Sequence, residues 1–331
     1  MRRSLSGVVT GVLGLGLLAW MVWSVGVAEI VADVRSIGWT IIAIITIGGL
    51  RFLLRAVAWR MCLEPPHTLS LGHAFAAVVC GDTIGNLTPL GPLVGEPAKA
   101  AFVRGRVPLA PAVTALAIEN VLYTLSAAAM IAAGMVALLV RFQLPSAIRG
   151  VGEVAVAATL LLFALALWML WRQPALISRA LGLAPPLRRH AGRIQEIESQ
   201  IYSFASRHRR ALPGLALAEM SFHALGVSEI YLTLWVLMDA PPPLMTAFIL
   251  ETANRLVTVV FKVVPLRLGV DEAASTYVSQ LLGLGPRLGL SMAIIRKLRI
   301  LFWALAGGVL LVREGFAART PPLPQDQAER G

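Results

Sequence analysis

Gly81-Asp82-Thr83-Ile84-Gly85-Asn86-Leu87-Thr88-Pro89-Leu90-Gly91-Pro92 is a polar, glycine- and proline-rich run lying between apolar stretches. The surrounding chain has 331 residues, is 57% hydrophobic and has a mean hydropathy of +0.75. Soluble domains are about half apolar or less, so lipid is the expected solvent here. A continuous helix cannot run unkinked through so many glycines and prolines. The segment 72–104 is therefore read as a re-entrant hairpin. Its first arm is Ala74 to Cys80, and its second opens with Gly95-Glu96-Pro97.

A second segment, 243–285, repeats the plan. An arm from Leu244 to Val264 meets a break at Pro265-Leu266-Arg267-Leu268-Gly269, and a second arm opens with Asp271-Glu272. Setting Pro89 on Pro265 sets Glu96 on Glu272, seven residues later in both. Further on, Pro108 leads by eleven residues to Glu119 and Pro286 by ten to Arg296. Around the hairpins, runs of the ~20 apolar residues that cross a bilayer lie at about 8–27, 38–58, 110–139, 151–171, 211–238 and 287–312. The first is too long for a secretory signal core and reads as a signal anchor.

Orientation follows from the arginines. The polar stretch 172–210 carries Arg172, Arg179, Arg188, Arg189, Arg193, Arg207, Arg209 and Arg210 against Glu196 and Glu198, which marks a cytoplasmic loop. With Arg2 and Arg3 also inside, both termini are cytoplasmic and the two hairpins open from opposite sides, as an inverted repeat. The expected fold is thus an all-α integral membrane protein, with about six spans plus two re-entrant hairpins. It forms one polytopic domain over 1–315, followed by a disordered tail over 316–331.

Several function classes lack support. The net charge of +11 is not interleaved with aromatics in a polar domain, so nucleic acid is not an expected partner. Cys62 and Cys80 form no metal or redox motif, no phosphate-binding P-loop is present, and no cofactor is expected.

The chemistry is expected from charges inside the bilayer, each costing about 2.5–3.5 kcal/mol unless paired or wetted. Glu96 and Lys99 lie one turn apart on the second arm of the first hairpin, and Glu272 holds the matching place in the other. Asn86 and Thr88 stand in the first break and Arg267 in the second. Glu251, Arg255 and Lys262 share one helical stripe beside Asn254, and Lys262, unbalanced in its own helix, is the candidate for a phosphate. Arg51 and Arg55 share a face, with Arg55 within reach of the interface; Arg296 and Arg299 share another. Glu119 and Asn120, with Tyr123, could answer these arginines. A structural ion pair is the competing reading for Glu96–Lys99 and Glu251–Arg255. Glu219 and His223 have the i, i+4 spacing of metal ligands, but without a third ligand they read as a hydrogen-bonded pair.

The run Asn86-Leu87-Thr88-Pro89 through Gly95-Glu96-Pro97-Ala98-Lys99, followed by Glu119-Asn120, resembles the transmembrane region of the lysylphosphatidylglycerol synthase family, also called flippase-like proteins. Pro265, Gly269, Glu272 and Arg296 to Arg299 look like its second signature, and the resemblance covers about residues 5–315. Lys99 stands where the family commonly has arginine. The resemblance implies a lipid-translocating protein of the bacterial inner membrane, standing alone without the aminoacyl-transferase domain. Its cargo would be an anionic or zwitterionic, phospho- or isoprenoid-derived lipid, and its partners that lipid and proteins of lipid biosynthesis. The alternatives are an intramembrane enzyme acting on a lipid or prenyl phosphate, against which no serine nucleophile follows the break, and an accessory scaffold using the basic 172–210 loop.

Overall fold

A computed structural model describes residues 20, 22–24, 26–88, 91–142, 146–172, 191–261 and 264–317. Most of the expected first span, Pro89, Lys262, residues 173–190 of the basic loop and the tail from 318 lie outside the described residues.

Every regular element among the described residues is helical. In order they are α1 (Val27–Ser36), α2 (Thr40–Met61), α3 (Leu71–Leu87), α4 (Gly91–Phe102), α5 (Leu109–Arg141) and α6 (Ser146–Arg172). Then come α7 (Ala191–Arg207), α8 (Leu212–Met238), α9 (Leu244–Val260), a 3-10 turn (Pro265–Arg267), α10 (Val270–Leu281) and α11 (Pro286–Ala317). Among the described residues, α2, α5 and α8 are long and apolar enough to cross a bilayer. Helix α11 is as long, at 32 residues, but carries Arg287, Arg296, Lys297 and Arg299 within its length.

The solvent is legible in the inversion of polarity. Trp39, Met220 and Leu305 are 86%, 70% and 72% exposed, whereas Glu119, Glu251 and Glu272 are at most 1% exposed. A water-soluble fold would bury the first set and expose the second. The molecule is a helical membrane protein.

Both segments with a sequence break fold as helical hairpins that are interrupted where expected, but the helix ends bounding the interruptions are shifted. Helix α3 continues through Gly81, Asp82 and Gly85 to Leu87, where Thr88 ends it in an extended conformation with its hydroxyl on the Ile84 carbonyl at 2.6 Å. Helix α4 begins at Gly91, four residues before the expected Gly95. In the second hairpin α9 stops at Val260 rather than Val264. The arms of the first hairpin close tightly because facing positions lack side chains. A Cβ on Gly95 would stand 2.6 Å from the Gly81 carbonyl oxygen, and one on Gly91 would stand 2.4 Å from that of Gly85.

Part of the expected basic loop is helix α7, whose Phe204 and Ile201 join the apolar core formed by Trp59, Val103, Leu116 and Leu215. Arg207 pairs with Glu64 at 3.2 Å.

Helix α1 is tied to the start of α11 by one carboxylate. Asp33 accepts from Arg287 Nε at 2.9 Å, from Arg287 Nη2 at 2.5 Å and from Ser291 Oγ at 2.6 Å. Burial raises the Asp33 carboxyl's pKa, but the bonds from Arg287 and Ser291 outweigh it and hold the group below its usual range. A carboxyl depressed in the folded state stabilises above its unfolded pKa and loses that contribution as pH falls. Asp33→Asn is expected to cost about 1–2 kcal/mol, read as a lower unfolding midpoint in detergent near neutral pH. The gap from the unsubstituted protein should narrow as pH drops below about 4; an unchanged midpoint at neutral pH would show the clasp to be idle.

Candidate functional site

The hairpins α3–α4 and α9–α10 pack with α2, α5, α8 and α11 around a cavity of about 240 Å³. Helix α2 contributes Gly48, Arg51, Phe52 and Arg55; α3 gives Asp82, Gly85 and Asn86; α4 gives Gly95, Glu96 and Lys99. Asn120 and Tyr123 come from α5, Phe222 from α8, Asn254, Arg255 and Thr258 from α9, and Arg267 from the second break. Arg296, Arg299, Ile300 and Trp303 complete the wall from α11. Among the described residues, seven cationic side chains and two carboxylates line the space.

The other carboxylates stand behind the wall. Glu229 Oε2 lies 3.2 Å from Arg51 Nη1, and Glu229 Oε1 lies 2.9 Å from Arg299 Nε. Glu251 Oε1 takes Arg255 Nη2 at 2.7 Å and lies 3.7 Å from Arg51 Nη2. Glu119 faces Arg55 Nε at 2.8 Å. Removing a partner from such a buried pair is costly, because it leaves a charge uncompensated. Aromatic faces add to the support, with Tyr123 4.1 Å from the Arg55 guanidinium and Phe222 4.6 Å from that of Arg51. Glu251 fits because α8 has Gly226 opposite it; a Cβ there would be 2.4 Å from Glu251 Oε1.

One relay occurs twice. Arg55 Nη2 donates to Asn120 Oδ1 at 3.1 Å, and Asn120 Nδ2 donates to Glu96 Oε2 at 2.9 Å. Arg296 Nη1 donates to Asn254 Oδ1 at 2.7 Å, and Asn254 Nδ2 donates to Glu251 Oε2 at 3.1 Å. Each glutamate also holds a cation one turn along its own helix: Lys99 at 2.7 Å from Glu96, and Arg255 from Glu251. The relays differ in one respect. Arg55 has Glu119 beside it, whereas Arg296 has no carboxylate within 4.0 Å among the described residues.

Arg267 reaches the cavity from a backbone that few residues adopt. Leu266 and Arg267 have φ of 50° and 49°, and left-handed non-glycine residues cost on the order of 1–3 kcal/mol each. Two contacts hold them. Lys297 Nζ donates to the Leu266 carbonyl, and Arg267 Nε donates to Asp271 at 3.1 Å.

Ten of the sequence-predicted residues meet at this cavity: Arg51, Asn86, Glu96, Lys99, Asn120, Asn254, Arg255, Arg267, Arg296 and Arg299. Thr88 does not line it, since its hydroxyl is turned back onto α3. Glu119 supports Arg55 from behind. Glu272 does not line the cavity either; it is fully buried in the first turn of α10, 3.6 Å from Lys297. Arg55 does not reach an interface; its guanidinium is enclosed by Glu119, Asn120 and Tyr123. Lys262 lies outside the described residues. Sequence reasoning passed over Asp82, Glu229, Asp271 and Lys297. Glu229 had a signal, a second acid with no lysine or arginine in an apolar span that also carries Glu219. Glu219 and His223 are bridged by Ser126 Oγ, at 3.1 and 3.0 Å.

The sequence model of the family described as the lysylphosphatidylglycerol synthase TM region matches residues 6–308, and the chain belongs to that family. Neither a curated protein nor a solved structure matches the chain.

The pairing predicts a contrast in stability. Glu251→Gln strands Arg255 and weakens Arg51, and is expected to cost about 3–5 kcal/mol. Arg296→Gln strands no carboxylate, keeps a donor for Asn254 and should cost no more than about 1 kcal/mol. Unfolding midpoints of the two variants in one detergent check this, and equal losses would contradict the distinction between paired and free cations.

Proposed function

We propose that this member of the lysylphosphatidylglycerol synthase TM region family moves a lipid with an anionic or zwitterionic head group across the bacterial inner membrane. The head group passes through the charged cavity while the acyl or isoprenoid tails stay in the bilayer. The observation that carries the reading is the convergence, among the described residues, of seven cationic side chains on one cavity inside an apolar bundle. A cavity of this kind offers hydrogen-bond donors to an anionic group that hydrocarbon cannot solvate.

Helix lengths support the re-entrant reading. Arms α3 and α9 have 17 residues each and α4 and α10 have 12 each, so at 1.5 Å per residue they run about 26 and 18 Å, short of a ~30 Å hydrocarbon core. The equal 17-and-12 plan of both hairpins supports a repeat. The arginine bias sets both termini in the cytoplasm, and with six spans this makes the repeat inverted. Broken helices of this kind sit where protein or water can satisfy the freed backbone groups.

We read the chain as a carrier without bond chemistry. Ser126 and His223 do touch, but Glu219 contacts the serine rather than orienting the imidazole, and neither Ser126 nor His223 lines the cavity. Proteoliposomes holding the purified protein and a fluorescent phospholipid should show faster exchange between leaflets than protein-free vesicles. Glu96→Gln, which weakens the grip on Lys99 and Asn120, should slow that exchange by about tenfold. Protein-free rates with every phospholipid and isoprenoid lipid tried would sink the proposal, and released phosphate would favour the enzyme instead.

A further inference from the structure

Among the described residues, the charges lining the cavity have ion-pair partners within 4.0 Å except at two places, and the two are opposite in sign; Glu251 and Asp271 face the first, Arg296, from farther away. Arg296, 6% exposed, donates to the neutral Asn254 amide and has no carboxylate within 4.0 Å among the described residues. Asp82, on α3, accepts from the neutral Asn86 amide at 2.7 Å and likewise has no cation within 4.0 Å among the described residues. Lys99, Arg267 and Arg299 face Asp82 from farther away. Both residues line the same space from different helices.

We propose that these two free charges select the head group: a single phosphodiester taken by Arg296, and a single ammonium taken by Asp82. The inference rests on the lipid-cavity reading above and narrows its substrate class to a zwitterion. A guanidinium has five N–H donors, and the Asn254 bond uses one of them, leaving donors for phosphate oxygens. A head group with phosphate alone leaves Asp82 unanswered and adds a like charge near it. A purely cationic head group leaves Arg296 unanswered. Only a ligand with both poles relieves both residues, and charge-assisted bonds at each end fix its orientation.

The test is binding to the full chain in detergent, followed by thermal shift and native mass spectrometry. The probes are short-chain phosphatidylethanolamine, phosphatidylcholine, phosphatidylglycerol and tail-less glycerophosphoethanolamine. Phosphatidylethanolamine, whose ammonium donates hydrogen bonds, should bind about tenfold more tightly than phosphatidylglycerol, with phosphatidylcholine, which has the charge but no N–H donor, between them. Arg296→Gln should weaken all three by a similar factor, with Arg296→Lys recovering part of it. Asp82→Asn should erase the preference for phosphatidylethanolamine while leaving phosphatidylglycerol binding intact. Equal wild-type affinity for the three lipids, or a preference that survives Asp82→Asn, would overturn the proposal. Glycerophosphoethanolamine binding as well as the lipid would overturn a lipid as the source of the head group. No binding by any phospholipid would instead overturn the broader reading of the cavity.

Discussion

A charge cannot be left alone in hydrocarbon, and the rest of this structure follows from how that constraint is met. Seven cations are brought to the cavity wall, and most are held by carboxylates placed one layer farther out, where they are buried and do not line the cavity. Glu229 and Glu251 each serve two arginines, so α2, α8, α9 and α11 are cross-linked by two acids. The arrangement fixes the helices and gives the cavity a positive inner surface at once. A wall of arginines without those acids would not stay in the membrane.

Room for these groups comes from missing side chains. Gly226 clears the space that Glu251 occupies, and Gly48 clears space for Arg299, whose Cδ would lie 2.9 Å from an added Cβ. Without an aqueous hydrophobic effect between spans, helices in a bilayer associate through close packing and polar contacts, so small residues beside charged ones are the expected interface chemistry. The hairpins extend the same logic. Their breaks give up backbone hydrogen bonds, and the second break recovers part of the loss when Lys297 binds the carbonyl of the strained Leu266.

Much of this was legible in the sequence. The apolar periods located α2, α5, α8 and α11 because a span must be long and apolar whatever it packs against. The charged residues were recognisable as interior because nothing else explains an arginine such as Arg51 in such a run. What was not legible was which side of a helix wall each charge occupies. The proline register set Glu96 against Glu272, since both follow a break by seven residues. Chemically, the counterpart of Glu96 is Glu251, on the other arm of its hairpin, because the relay through an asparagine depends on neighbours from distant helices. Asp82 and Glu229 were passed over for a related reason: their meaning lies in having, or lacking, a partner that sequence distance does not reveal.

The doubled relay carries a last step of argument. Arg55–Asn120–Glu96 and Arg296–Asn254–Glu251 use the same three residue types in the same order, each ending on a glutamate already paired along its own helix. If both relays served only to pack helices, each arginine would need its own carboxylate, as Arg55 has in Glu119. The absence of that acid near Arg296, among the described residues, is then the functional departure from a structural pattern. On the proposed reading, it leaves Arg296 a buried cation held in place by an amide rather than paired directly with an acid, which is the electrostatic condition for drawing the anionic pole of a head group to that side of the cavity.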